Sequence, residues 1–131
     1  MEYDKYVQST QHASKLVEKG DYEQAITALE ALIMSDISDL DKSMMCLNIG
    51  VVYDKMGRTQ EALAWYDKGI RYEQPYSRFT ITEQKAVYLA EKGYYQESLD
   101  LYEGLLAQPY LTENDKERVR NNINILRKQL R

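Results

Sequence analysis

Few side chains in this sequence belong to the types that carry out chemistry. His12 is the only histidine and Cys46 the only cysteine among the 131 residues. A zinc site needs several Cys, His or carboxylate ligands placed together, and a single cysteine excludes an internal disulfide. We expect His12 to pack partly buried between helices. Cys46 is expected to be a buried, apolar side chain, with a reactive thiol as the alternative.

Carboxylates are plentiful but scattered, so no acid/base pair can be assigned. Glycine-rich phosphate loops, nucleophile elbows and His/Glu pairs at metal-binding spacing are all absent from the sequence. The sequence therefore predicts a protein that is not an enzyme, with no catalytic residues, no metal and no cofactor.

The charge distribution limits the classes of partner. The formal net charge is -4, whereas nucleic-acid binding requires a basic face. Residues 112–131 hold six Lys or Arg against three Asp or Glu, which predicts a solvated basic face on the last helix. RNA or anionic-surface binding through that helix is the alternative. There is neither an apolar run of 18 residues nor a leader-like N-terminus. We therefore expect a cytoplasmic protein without membrane insertion.

The chain is periodic on two scales. Apolar residues recur at spacings of three and four, which is typical of helices. Gly20, Gly57 and Gly93 are 37 and 36 residues apart, and a similar phrase follows each, as in GDYEQAITALEAL and GYYQESLDLYEGL. Such a period with one helix–turn–helix per unit is typical of a repeat array. We expect an all-α fold of about seven helices.

The repeats can be bounded by turn and capping residues. We expect one domain over residues 1–131, with repeats at 4–37, 41–75 and 78–110 and a C-terminal capping helix at 112–130. Candidate N-caps are Asp21 with Gln24, Ser38 with Asp41, and Thr112 or Asn114. An apolar stripe of Val119, Ile123, Leu126 and Leu130 is expected to dock the last helix.

The middle repeat carries a recognisable pattern. It contains Ile49-Gly50-x2-Tyr53, then Ala62-x3-Tyr66 and a proline at position 75. This resembles the tetratricopeptide repeat. A glycine in the middle of a helix costs about 0.8–1.0 kcal/mol against alanine, so Gly50 predicts a close helix–helix contact.

The resemblance implies a right-handed α-solenoid of antiparallel helix pairs that acts as a scaffold without intrinsic chemistry. In that family the first helices of the repeats line a concave groove that holds an extended peptide or a partner helix. Projected onto this sequence, the groove residues are Val7, Thr10, Ser14, Met44, Leu47, Asn48, Val51, Asp54, Gln84, Val87 and Glu91.

The predicted groove has an apolar band with an acidic edge. The band is formed by Val7, Met44, Leu47, Val51 and Val87, and the edge by Asp54, Glu83 and Glu91. An exposed apolar strip rimmed by charge is typical of an interaction surface. We therefore predict a protein-interaction module that binds an apolar, mildly basic peptide or an amphipathic helix. The alternative is that the groove is shallow and that these side chains pack on one another. One branch of the family binds the terminal carboxylate of a partner through Lys, Arg and Asn side chains in the groove. Of these, only the asparagine has a counterpart here, Asn48, so the cations needed to hold a carboxylate are missing.

The twelve tyrosines support a second hypothesis. Tyr53, Tyr66 and Tyr102 fall at expected core positions, and seven others are expected to reach the surface: Tyr3, Tyr6, Tyr72, Tyr76, Tyr94, Tyr95 and Tyr110. Because aromatic side chains are enriched at interfaces, the alternative function is a self-associating scaffold or assembly factor. Its homodimer or larger assembly would form through the groove or through exposed tyrosines.

Overall fold

The computed structural model of the protein describes residues 1–131 and contains helices but no strands. Seven α-helices follow one another, with a 3₁₀ turn at Gln74–Tyr76 after the fourth. Their bounds are α1 Tyr3–Glu18, α2 Tyr22–Ile33, α3 Asp39–Lys55, α4 Thr59–Glu73, α5 Thr80–Glu91, α6 Tyr95–Leu106 and α7 Glu113–Gln129. The predicted all-α class is confirmed. None of these helices combines the length and the apolar character needed to cross a membrane.

The same type of turn closes α1, α3 and α5. Gly20, Gly57 and Gly93 have φ values of +81°, +74° and +88°, which glycine adopts at little cost. After α1, the N–H of Asp21 donates to the carbonyl of Leu16 at 2.8 Å, and equivalent bonds follow the other two glycines. These bonds satisfy carbonyls that a helix end would leave unpaired. The glycine spacing in the sequence therefore corresponds to a repeated helix–turn–helix.

Two helix starts are capped as predicted, and a third is not. Ser38 Oγ accepts a hydrogen bond from the N–H of Asp41 at 3.1 Å, and Thr112 forms a reciprocal capping box with Asp115. Asp21 makes no side-chain capping bond, so the capping box predicted at this start was wrong. The reason is its backbone: ψ is 62°, whereas a capping side chain usually acts from an extended conformation.

The chain divides into two compact units, and the first spans Met1–Tyr76. Its core is a cluster of buried apolar side chains from α1, α2 and α3: Ala13, Ile26, Leu29, Leu32, Met45, Ile49 and Val52. On α3, Gly50 lies against the ring of Tyr66 from α4. A Cβ at position 50 would be 2.6 Å from Cδ1 of that ring. The mid-helix glycine therefore permits the close helix contact that its position predicted.

The second unit spans Ser77–Arg131 and contains α5, α6 and α7. Its core is formed by Ala86, Leu99, Tyr102, Leu105, Leu111, Val119, Ile123 and Leu126. Ser98 is fully buried, and its Oγ donates to the carbonyl of Ala86 at 2.7 Å. This bond joins α6 to α5 and satisfies the only polar atom of the buried serine side chain.

The α7 stripe is confirmed except at its end. Val119, Ile123 and Leu126 are at most 4% exposed, whereas Leu130 is 42% exposed. Placing Leu130 in the stripe was wrong because α7 ends at Gln129 and Leu130 is its C-cap. Full burial of a side chain such as Val119 contributes about 1.5–3 kcal/mol to stability. That the whole chain forms a single domain of three repeats stays a prediction.

Candidate functional site

The first unit carries a cleft between α1 and α3, which we call the α1/α3 cleft. Its volume is about 310 Å³, and its lining residues are Thr10, Ala13, Ser14, Val17, Glu18, Leu29, Asn48, Val51 and Val52. The floor is apolar, since Ala13, Leu29 and Val52 are only 2–3% exposed. Glu18 is exposed and is the only charged residue of the lining. The cleft therefore combines a buried apolar floor with a polar, weakly acidic rim.

Four of the predicted groove residues line this cleft together. Thr10 and Ser14 are four residues apart on α1, and Asn48 and Val51 are three apart on α3. Side chains at these spacings share a helix face. Val51 is 40% exposed, so it presents an apolar surface at the rim. The hydroxyl of Thr10 donates to the carbonyl of Val7 at 2.8 Å, so Ser14 and Asn48 are the exposed, uncharged polar groups beside Glu18.

The other predicted residues of this unit lie outside the cleft lining. Val7 is half-buried and precedes Thr10 on α1. On α3, Met44 is 39% exposed, while Leu47 and Asp54 are half-buried. Met44 and Leu47 precede Val51 at helical spacing, so they continue its face toward the start of α3. The structure thus gathers the cleft residues and places these four along the same two helices.

The three predicted residues of the second unit share one face of α5. Gln84, Val87 and Glu91 are separated by three and four residues, and all three are exposed. Val87 is 41% exposed. Because Val87 lies between Gln84 and Glu91 on this face, α5 has a small amphipathic surface.

Glu83, expected at the acidic edge, is held by an ion pair. Arg118 of α7 donates to its two carboxylate oxygens, from Nη2 at 2.6 Å and from Nε at 3.0 Å. Arg118 also contacts Asp115 at 3.0 Å. These bonds raise the pKa of Arg118 above its ordinary value. Glu83 therefore serves the packing of α5 with α7, which sequence spacing alone did not reveal.

The two residues considered for chemistry have different environments. His12 is exposed, so the expected partial burial was wrong. His12 lines an open depression together with Ala28, Ala31 and Leu32 of α2, which leaves the imidazole exposed to solvent. Cys46 is fully buried as predicted, and burial raises the pKa of its thiol to about 11. No group of three or more His, Cys, Asp or Glu is arranged to hold a metal ion.

A larger depression of the first unit was missed by the sequence analysis. It has a volume of about 660 Å³ and is lined by Glu30, Ile33, Met34, Cys46, Trp65, Lys68, Arg71 and Tyr72. We call it the α2/α4 pocket. At 100° per residue along α3, Cys46 points away from Asn48 and Val51, so the pocket and the cleft lie on opposite sides of that helix. A signal was present in the sequence: Trp65, Lys68 and Tyr72 recur at helical spacing on α4.

A comparison with protein families supplies the classification. The family profile described as Tetratricopeptide repeat matches residues 10–78, which is more than half of the chain. The chain belongs to the tetratricopeptide-repeat family. The resemblance inferred from the Gly50, Tyr53, Ala62 and Tyr66 pattern is therefore confirmed. Among curated proteins, no sequence matches the chain.

Solved structures of the same fold come from Yersinia enterocolitica. The type III secretion chaperone SycD, in complex with a peptide of the translocator YopD, is 21% identical to this tetratricopeptide-repeat protein with a TM-score of 0.66. That match covers 99% of this chain and 98% of the chaperone chain. A second structure, of the translocator chaperone SycD, has a TM-score of 0.64 at 21% identity and covers 98% of this chain and 88% of that one. At this identity the likeness establishes the fold.

Proposed function

We propose that the protein is an interaction module whose α1/α3 cleft binds a peptide segment of a partner protein. The observation that carries the proposal is the cleft's buried apolar floor beneath a partly exposed Val51. Family membership supports it, because tetratricopeptide repeats are typically non-enzymatic protein-binding scaffolds. The Yersinia chaperone of similar fold is seen in complex with a translocator peptide.

The side chains of the cleft determine which peptide sequence can bind there. An apolar anchor side chain would cover Val51, which is 40% exposed, and so remove apolar surface from water. Ala13, Leu29 and Val52 are already buried and form the floor beneath it. The Asn48 amide has both donors and an acceptor, so it can pair with a peptide group of the ligand. Glu18 at the rim favours a Lys or Arg beside the anchor. The expected ligand is therefore an apolar segment with a neighbouring basic residue.

A displayed random peptide library tests this proposal directly. Selection on the wild-type protein is expected to enrich peptides that contain an apolar anchor and a basic residue. A selected peptide should bind Val51→Arg at least about tenfold more weakly, which corresponds to about 1.4 kcal/mol. Glu18→Gln should weaken the binding of peptides that contain the basic residue and leave the binding of uncharged analogues unaffected.

Ile125→Arg provides the matched control. Ile125 is also an exposed apolar residue, at 57%, but lies on α7 in the second unit. Circular dichroism should show the same helicity for both arginine variants, since both positions are exposed. A failure to enrich any peptide contradicts the proposal. Equal binding of a selected peptide to Val51→Arg and to the parent contradicts it as well.

Self-association is the second candidate, favoured by exposed aromatic side chains. Tyr3 is 77%, Tyr76 50% and Tyr94 41% exposed. One of them has an internal role, because the Tyr76 hydroxyl donates to Asp39 at 3.0 Å. The proposed peptide-binding module should be a monomer by light scattering at tens of micromolar. A stable dimer that Leu47→Glu converts to monomers would instead assign the α3 face to self-association.

A further inference from the structure

The α2/α4 pocket has the composition of a small-molecule site. Its volume of about 660 Å³ falls within the about 300–1,000 Å³ range of ligand pockets, which are mostly apolar with a few polar groups. Its apolar lining is made by Ile33, Met34, Trp65 and Tyr72, with the buried Cys46 behind them. Met34 is 86% exposed, so its flexible side chain is available at the rim to pack against an apolar ligand.

The charge of the pocket is opposite to that of the chain. Two cations, Lys68 and Arg71, line it against a single carboxylate, Glu30, whereas the chain as a whole has a net charge of -4. Both cations are exposed and neither forms a salt bridge with a carboxylate. They are three residues apart on α4, so they lie on one face of the helix. Two unpaired cations at an apolar pocket are complementary to an anion.

One of the cations is already positioned by an aromatic ring. Lys68 Nζ lies 3.9 Å from the centroid of the Trp65 ring, within the range of a cation–π interaction. Trp65 in turn packs against the core of the first unit. The ammonium group of Lys68 therefore lies beside the apolar wall of the pocket. Both cations also act on the buried Cys46 thiol, where their charges lower the pKa that burial raises.

We propose that the α2/α4 pocket binds a small amphipathic carboxylate, with the apolar body of the ligand against Ile33, Met34 and Trp65. The carboxylate is paired with Lys68 and Arg71 at the pocket edge. This site is independent of the proposed peptide cleft because the two lie on opposite sides of α3. Charge complementarity selects an anion over a neutral or cationic molecule of the same size.

Fluorescence of Trp65 can report binding without a label. Trp65 is the only tryptophan, so a fluorescence change on titration reports on the pocket when excitation is at the red edge of the absorption band, where the twelve tyrosines do not absorb. The probes are decanoate and decyltrimethylammonium, which share the apolar chain and differ in the sign of the head group, each used below its micelle concentration. Decanoate is expected to give a saturable change, and decyltrimethylammonium is expected to bind at least tenfold more weakly.

Substitutions separate the pocket from general apolar binding. The double variant Lys68→Gln/Arg71→Gln is expected to bind decanoate at least tenfold more weakly. Lys55→Gln, which removes an exposed cation on the opposite side of α3, should bind it as the parent does. Because all three side chains are exposed, circular dichroism should show unchanged helicity. Val51→Arg should leave decanoate binding unchanged even where it abolishes peptide binding.

Four outcomes would overturn the inference. They are an absence of any saturable change with decanoate, equal affinity for the two probes, unchanged decanoate affinity in the double glutamine variant, and loss of decanoate binding in Val51→Arg. The last outcome would place the ligand in the α1/α3 cleft. Failure of the peptide selection has no bearing on this test, since the probes and the variants differ.

Discussion

Gly50 and Tyr66 lie so close that the backbone of α3 abuts the aromatic ring on α4. A Cβ at position 50 would overlap the ring, with Cδ1 at 2.6 Å. Since Tyr66 is only 4% exposed, its ring is confined by the packed interior of the first unit and has little room to move. This contact fixes the approach of α4 to α3, the helix whose opposite sides face the cleft and the pocket.

Gly50→Ala is therefore expected to destabilise the protein. Overpacking costs about 1–3 kcal/mol, and an overlap this close with a confined ring belongs at the upper end, about 2–3 kcal/mol. The gain in helix propensity returns up to about 1 kcal/mol, so a net loss of roughly 1–2 kcal/mol is expected. Urea denaturation followed by circular dichroism measures it. Gly104→Ala is the matched control, because nothing lies within 4 Å of a Cβ there. It should gain up to about 1 kcal/mol, and a neutral Gly50→Ala would contradict the packing argument.

The two-pronged bond from Arg118 to Glu83 predicts that lysine cannot replace the arginine. Lysine lacks the planar fork that contacts both carboxylate oxygens. Because Arg118 is about half exposed, the expected loss for Arg118→Lys is at most about 1 kcal/mol and shrinks in high salt. Arg127→Lys, which alters a single bond to Glu103 at 3.1 Å, should cost less. Equal losses for the two variants would show that the fork contributes nothing.

The start of α7 predicts a pH dependence. Hydrogen bonds from the Thr112 backbone and side chain, then the charge of Arg118, lower the pKa of Asp115 below its ordinary value of 3.8. A carboxyl with a lowered pKa in the folded state stabilises the protein above its unfolded pKa and loses that contribution as the pH falls through the folded value. Asp115→Asn should therefore be less stable than the parent at pH 7.

The difference between Asp115→Asn and the parent should disappear at the acid end, below the folded pKa of Asp115. Thermal unfolding at a series of pH values measures it. Glu117→Gln, which alters an exposed carboxylate on the same helix, should show no such convergence. A difference between Asp115→Asn and the parent that persists unchanged in acid would contradict the assigned role.

Cys46 is expected to react slowly while the protein is folded. Burial raises the pKa of its thiol to about 11 from an ordinary 9.0, which lowers the thiolate fraction at pH 8 by about 100-fold, and the thiolate is the nucleophile. Alkylation by iodoacetamide, followed by mass spectrometry, should accelerate strongly in urea. In the folded protein the rate should keep rising up to about pH 11. A native rate that levels off near pH 9 would contradict the raised pKa.

The same pKa shift makes a prediction for stability. A thiol whose folded pKa is raised stabilises the protein below its unfolded pKa, and this contribution is lost as the pH rises through the folded value. The window is therefore from 9.0 to about 11. The parent should lose stability across this window by more than Cys46→Ala does.

Several side chains could be placed from the sequence because local rules decide them. Glycine adopts a positive φ after a helix end at little cost, so Gly20 marks a turn without reference to the rest of the fold. Ser38 and Thr112 cap helices through bonds to residues three positions away. Helical spacing likewise brought Thr10 and Ser14 onto one face of α1, although their role in binding stays a prediction.

Other side chains were misplaced because contacts distant in sequence decide them. His12 was expected to pack partly buried between helices, yet it lines an open depression beside α2 and is exposed. Glu83 was expected at the acidic edge of the groove, and Arg118, 35 residues away, forms an ion pair with it. The α2/α4 pocket gathers residues from three helices, which no single periodic stripe displays.

The sequence by itself determined the helical repeat, the turns and the family, since these follow from spacing and from backbone preferences within a few residues. Only the tertiary structure decided which polar groups are free and which are paired, and where two helices leave a cleft or a pocket. The physical reason is that burial and ion pairing depend on side chains brought together from distant positions. Gly50 illustrates both: a glycine in the middle of a helix predicted a close contact, and only the tertiary structure identified Tyr66 as the residue it contacts.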